Sequence, residues 1–94
     1  MKLGTKIKKI NNIDPENYQI ELQYTDKFKG IVNLGFIFNH PEKKPLVLEV
    51  LRGNLFHRCF IEFGSLAWPN GFELCPDAIR YWITNQKKEK KKAA

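Results

Sequence analysis

The clearest pattern in the chain is an alternation of apolar and polar residues that starts at Tyr18. The four apolar positions of this run are Tyr18, Ile20, Leu22 and Tyr24. Successive side chains of a strand point to opposite faces, so a period of two predicts a half-buried β-strand. The same period resumes at Phe28 and continues to Leu34 after a break at 25–27. Residues 18–34 are therefore predicted to form one antiparallel hairpin.

The segments on either side of this hairpin are less regular. Residues 5–13 place lysines between isoleucines, which suits an edge strand because charge discourages further pairing. Prolines at positions 41 and 45 interrupt any helix or central strand within Gly35–Pro45, which is predicted to be a loop. The run Leu46–Leu51 fits a short strand by its β-branched content or a short helix by its spacing, and we favour the helix.

A second hairpin and a helix are predicted in the C-terminal half. His57–Phe63 alternates like a strand, a turn follows at 64–65, and Leu66–Trp68 returns as a short strand. Pro69-Asn70-Gly71 is a strong turn, because proline fixes φ and the next two residues accept positive φ. Pro76 suits the first turn of a helix whose apolar spacing continues to Gln86.

These elements predict an α+β fold. Its parts are a small antiparallel sheet of two hairpins plus an N-terminal strand, one short middle helix, and a C-terminal helix packed on the sheet. A chain of 94 residues holds one core. We expect a single domain at 1–86 and a basic, disordered tail at 87–94.

The net charge of +6 raises the question of nucleic-acid binding. Five lysines and one glutamate between positions 87 and 92 carry +4 of it, so most of the basicity belongs to the tail. A terminal lysine run is commonly a solvated end, although it also strengthens contact with phosphates. The nucleic-acid alternative rests on five lysines, which are Lys6, Lys8, Lys9, Lys87 and Lys88.

The cysteine count and the N-terminus bear on the compartment. Two cysteines are too few for a disulfide framework, and the first residues run into charge without an apolar signal core. The longest apolar runs fall well short of the roughly 20 residues that cross a bilayer. We therefore expect a cytoplasmic protein with no membrane contact.

The chemistry-bearing residues do not form a recognisable catalytic or metal-binding set. His57 and Cys59 would share one face of a strand, but zinc usually takes tight ligand pairs from two elements. Ser65 has no surrounding nucleophile elbow, and Cys75 has no evident partner base. We predict that the protein is not an enzyme and that it needs no cofactor or metal.

An aromatic group near the C-terminal helix is the candidate binding surface. Trp68 and Trp82 are expected to fill the core, because so small a domain has few other bulky residues. Phe72 and Tyr81 lie on less certain faces and are better candidates for surface anchors, with Arg80 as a polar contact.

The stretch from Gly64 to Asp77, with its Trp68-Pro69-Asn70-Gly71 turn and the following Leu74-Cys75-Pro76-Asp77, resembles a widespread bacterial family known as domain of unknown function 2442. The resemblance covers roughly residues 5–83. Family members usually have Asp-Gly where this chain has Asp26-Lys27, and an Asp where this chain has Cys75.

The resemblance implies a small α+β fold with an antiparallel sheet and a C-terminal helix. Some members lie beside another small gene in an arrangement like a toxin–antitoxin pair. The leading hypothesis is a non-enzymatic interaction or regulatory module, antitoxin-like in one form. Its expected partner is another small bacterial protein, with the product of the adjacent gene as one candidate, and nucleic acid is the alternative.

Overall fold

The computed structural model describes residues 5–42 and 44–93, with side chains up to Gln86. Its strands are β1 (Ile7–Asp14), β2 (Gln19–Tyr24), β3 (Lys29–Asn33), β4 (Phe60–Glu62), β5 (Ser65–Ala67) and β6 (Glu73–Leu74). Its helices are α1 (Gly35–Phe38), α2 (Pro45–Arg52) and α3 (Pro76–Ala93), and a 3₁₀ turn occupies Phe56–Arg58. The predicted α+β class is confirmed.

The N-terminal sheet consists of β1, β2 and β3 in sequence order, and all its pairs are antiparallel. The predicted hairpin is confirmed, with Ile20 opposite Val32 and both side chains fully buried. β1 contains two register shifts, one between Ile7 and Lys9 and one between Ile10 and Asn12. Each bulge adds a residue to the strand, which explains why β1 lacks a clean period of two.

The C-terminal sheet has the order β4-β5-β6, so the strands form two sheets of three and not one. The predicted strand His57–Phe63 is wrong at both ends. His57 lies in the 3₁₀ turn, and Phe63 lies in the turn between β4 and β5. The apparent alternation combines two different elements. The first is the 3₁₀ turn, where Phe56 and then Cys59 are buried, and the second is the three-residue strand β4.

The segment Gly35–Pro45, predicted to be a loop, begins with the helical turn α1. Asn33 Oδ1 accepts a hydrogen bond from the Gly35 N–H at 2.8 Å, and the turn buries Ile37 and Phe38. Four residues are too few for a helical period to appear in a sequence. The short helix predicted at Leu46–Leu51 is confirmed as α2.

Helix α3 closes the inner face of the N-terminal sheet. Ile79 and Ile83 are fully buried, and a Cβ placed on Gly30 of β3 would lie 2.5 Å from Ile83 Cγ2. The helix runs to Ala93, past the predicted end at Gln86, because Lys, Glu and Ala are strong helix formers. The backbone of 87–93 is thus helical where a disordered tail was predicted, and Ala94 lies outside the described residues.

Candidate functional site

The Trp68-Pro69-Asn70-Gly71 turn is held by internal contacts. Trp68 is 1% exposed, and its indole N–H donates to the Phe56 carbonyl at 3.1 Å. Asn70 Nδ2 donates to the Leu46 carbonyl at 2.9 Å and so ties the turn to α2. Gly71 has φ +94, the left-handed conformation that glycine accepts without strain. Folding alone accounts for the motif.

The first hairpin uses the same three-residue loop as this turn. Tyr24 N–H donates to Phe28 O, as Trp68 N–H donates to Phe72 O, both at 2.8 Å. The third loop residue is left-handed in each, with φ +73 at Lys27 and +94 at Gly71. Such loops commonly pair a type I turn with one left-handed residue. The family that this chain resembles usually has glycine at the position of Lys27, and the positive φ of this position explains that preference.

The three side chains predicted to bind a partner are not presented together as a free surface. Phe72 is partly buried, with its ring centroid 5.3 Å from that of Trp68 and 6.0 Å from that of Phe38. Tyr81 is 57% exposed on α3. Of the three, only Tyr81 has a largely accessible ring.

Arg80 is engaged inside the domain. Its guanidinium forms an ion pair with Asp26 at 2.9 Å and donates to Thr5 Oγ1 at 3.2 Å, and the side chain is 14% exposed. Its Cζ atom lies 4.1 Å from the Phe28 ring centroid, within range of a cation–π interaction. Desolvation raises the pKa of Asp26, but the hydrogen bonds from Arg80 and the Phe28 N–H together lower it by more. The net shift of this pKa is therefore downward. These contacts give Arg80 a structural role that joins α3 to the first hairpin.

The most exposed apolar side chain in the described part of the chain is Phe63, at 92%. Phe63 and Gly64 form the two-residue loop between β4 and β5, which we call the hairpin tip. Their φ values are +50 and +82, as a type I′ turn requires at both central positions. Asn, Asp and Gly favour such positions, and a bulky side chain is strained there.

The hairpin tip is fixed against the start of β1. Ile7 N–H donates to the Gly64 carbonyl at 3.0 Å, and a Cβ on Gly64 would lie 2.5 Å from Lys6 Cβ. Phe60, three residues before the tip, is 40% exposed. The tip therefore presents an aromatic ring on a backbone that is held by the pairing of β4 with β5 and by the contact of Gly64 with the start of β1.

One of the predicted nucleic-acid residues, Lys6, lies just before β1 and beside this tip. Lys6, Lys8 and Lys9 are all exposed, and Lys6 packs beside Gly64. The side chains of Lys87 and Lys88 lie outside the described residues. Of the five lysines, Lys6 is the one whose printed contacts place it at the hairpin tip.

Two further titratable groups, the Cys59 thiol and the Tyr24 hydroxyl, belong to buried residues, whereas Cys75 is exposed. Burial raises the pKa of the Cys59 thiol to about 11, so this thiol stays protonated at neutral pH. The Tyr24 hydroxyl donates to the Pro76 carbonyl at 2.7 Å, and burial raises its pKa. Across residues 5–42 and 44–93, no cluster of three His, Cys, Asp or Glu side chains is placed to hold a metal ion. Nor does this part of the chain contain a helix with the length and apolar character to span a membrane.

Comparison of the chain with protein-family models, curated proteins and solved structures finds no match in any of the three. The resemblance to domain of unknown function 2442 therefore stays a prediction. Sequence reasoning overlooked Phe63 because the alternation of 57–63 placed it within a strand, on the same face as Cys59 and Ile61. The signal that could have found it is the glycine that follows it between two short apolar runs.

Proposed function

We propose that this chain is a non-enzymatic interaction module that binds another protein through the hairpin tip. The observation that carries the proposal is Phe63, an aromatic ring that is 92% exposed on a left-handed backbone. Neither feature helps the isolated domain fold, since the ring buries almost nothing and the backbone is strained. Exposed aromatic rings are, however, common anchors in protein interfaces.

The partner suited to this tip is a protein with an apolar pocket for one aromatic ring. Phe60 is a second exposed ring on the same hairpin, and exposed Lys6 and Glu62 provide polar side chains near the tip. A buried aromatic anchor with a polar rim is a common arrangement in interfaces. An antitoxin-like role is one form of this proposal and rests on the resemblance alone.

A photo-crosslinking experiment tests the protein-binding proposal. Benzoylphenylalanine replaces Phe63 in one variant and Tyr81 in a matched control, because both rings are exposed. In cells that express the native gene, we expect a discrete protein adduct at position 63 and a weaker one at position 81. An adduct at position 81 alone would assign the contact to α3 and refute the role of the hairpin tip.

Nucleic-acid binding is the second candidate, favoured by exposed Lys6, Lys8 and Lys9 at the start of the chain, of which Lys6 lies beside the hairpin tip. Single strands bind to surfaces that combine cationic side chains with aromatic stacking. Fluorescence anisotropy with a single-stranded oligonucleotide at about 50 and 200 mM salt measures this activity. One outcome would favour the nucleic-acid function over the protein-binding proposal. In it, strong, salt-sensitive binding survives removal of residues 87–94 but is lost in a triple variant that carries Lys6→Gln, Lys8→Gln and Lys9→Gln.

A further inference from the structure

The side of β3 that faces away from β2 carries unpaired backbone groups. The Tyr24 N–H donates to the Phe28 carbonyl, and the Leu34 N–H donates to the Tyr18 carbonyl. Together with the register of β2 and β3, these two bonds show which residue pairs of the hairpin are hydrogen bonded. Because such pairs alternate along antiparallel strands, the N–H and C=O groups of Lys29, Ile31 and Asn33 point away from β2. We call these three residues the β3 edge.

One side chain occupies part of the β3 edge. Gln86 Oε1 accepts from the Asn33 N–H, and Gln86 Nε2 donates to the Asn33 carbonyl, both at 2.9 Å. The amide of Gln86 thus imitates the peptide group of a neighbouring strand. The outward groups of Lys29 and Ile31 have no such partner within residues 5–42 and 44–93. The Ile31 side chain is also 52% exposed on the outer face.

We propose that the β3 edge binds a second copy of this chain, with the two β3 strands antiparallel around Ile31. In this register Ile31 lies opposite the same residue of the other copy, and both apolar side chains leave water together. Lys29 lies opposite Asn33, so no two like charges face each other across the pair. The edge is therefore complementary to itself in hydrogen bonding, and its pairing brings two apolar side chains together without opposing like charges.

Gln86 sets how readily this pairing occurs. Joining the two edges requires the Asn33 groups of each copy to exchange Gln86 for Lys29 of the other copy. The number of hydrogen bonds at Asn33 does not change in this exchange. The net free energy of association therefore comes from Ile31 and from the backbone N–H and C=O groups of Lys29. Natural sheets protect their edges with such internal contacts to limit association. Gln86 thus keeps the dimer weak and reversible.

Sedimentation velocity over a concentration series tests the proposal. We expect a monomer–dimer equilibrium for the wild type and at least about tenfold tighter association for Gln86→Ala, because its Asn33 groups are free to pair. Ile31→Arg should weaken association at least about tenfold, since two guanidinium groups would face each other. Tyr81→Arg is the matched control and should behave as the wild type. Monomers at every concentration for both wild type and Gln86→Ala would overturn the proposal.

Disulfide trapping tests the register without Gln86→Ala, so its result does not depend on the effect of that substitution on α3. All variants carry Cys75→Ser, because Cys75 is exposed. Ile31→Cys should cross-link to itself under mild oxidation, since paired Cα atoms about 5.5 Å apart suit a disulfide. Lys29→Cys should not, because the two copies of that residue would lie roughly 14 Å apart.

A mixture of Lys29→Cys with Asn33→Cys should form the heterologous cross-link. Equal self-linking of Ile31→Cys and Lys29→Cys would refute the register. Capture of a different protein by Ile31→Cys, with no self-linked product, would assign the edge to another partner and refute self-pairing. The hairpin tip is a separate surface, so Ile31→Arg should leave cross-linking at position 63 unchanged.

Discussion

Replacing Phe63 with Asn should stabilise the domain while removing its proposed contact. A left-handed backbone costs a non-glycine residue about 1–2 kcal/mol, and Asn tolerates it better than Phe. The ring is 92% exposed, so it buries only about 16 Å² of its roughly 200 Å², worth about 0.4 kcal/mol. The relief of strain exceeds this loss, and we expect a net gain of about 0.5–1 kcal/mol.

Thermal unfolding followed by circular dichroism measures this gain. For a domain of this size it corresponds to a rise of roughly 2–8 °C in Tm. Phe63→Ala keeps the backbone strain without the ring and should change the free energy of unfolding little. Phe63→Val should lower it, because a β-branched residue fits positive φ worst.

Two results would refute the reasoning. A loss of more than about 1 kcal/mol in Phe63→Ala would show that the ring is buried in the folded domain. A lower Tm for Phe63→Asn than for the wild type would show that the turn is not type I′. If Phe63→Asn is more stable and no longer binds its partner, the function of the ring is separated from folding.

Three further predictions concern the contacts that hold the fold together. The pKa of Asp26 is lowered on folding, so its contribution to stability is present above its unfolded pKa of about 3.9 and is lost as pH falls through the lower folded value. The difference in urea stability between wild type and Asp26→Asn should therefore shrink below about pH 4, and a difference that is constant with pH would contradict the ion pair with Arg80. Gly30→Ala should cost about 1–3 kcal/mol through its clash with Ile83 but less in an Ile83→Ala background, and equal costs in both would contradict this contact. Trp68→Phe should cost about 2–4 kcal/mol, because it leaves a cavity and removes the indole donor, so that the Phe56 carbonyl keeps only the longer bond from the Cys59 N–H at 3.4 Å; a loss below about 1 kcal/mol in urea unfolding would contradict the indole hydrogen bond.

The first hairpin could be predicted because its period of two is long and faces a single core. Ile20 and Leu22 are both fully buried, as the alternation requires. Helices α2 and α3 were also predictable, since each repeats its apolar residues at helical spacing, and Pro76 indicated the start of α3. Pro45, assigned to the preceding loop, is the first residue of α2.

The elements that could not be predicted are those too short to show a period. α1 has four residues and β6 has two, and tertiary contacts stabilise both. The strands divide into two sheets because β4 and β5 pair with each other and with β6 and not with the N-terminal sheet, and no local pattern indicates these partners.

The candidate site was harder to predict than the fold. An exposed arginine and an internal one look alike in sequence, and only the structure places Arg80 between Asp26 and Phe28. The exposed ring of Phe63 lay within an apparent strand pattern. Gln86 is one polar residue among many near the end of a helix, and its pairing with Asn33 depends on contacts 53 residues apart.

The links between α3 and the first hairpin have a consequence for synthesis on the ribosome. Tyr24 contacts Pro76, Asp26 contacts Arg80, and Asn33 contacts Gln86, across 52 to 54 residues in each case. The N-terminal sheet therefore emerges well before the helix that covers its inner face. At about 5–20 residues per second, its buried side chains stay open to solvent or chaperones for several seconds. During that interval Gln86 has not yet been made, and the β3 edge of the nascent chain is uncapped.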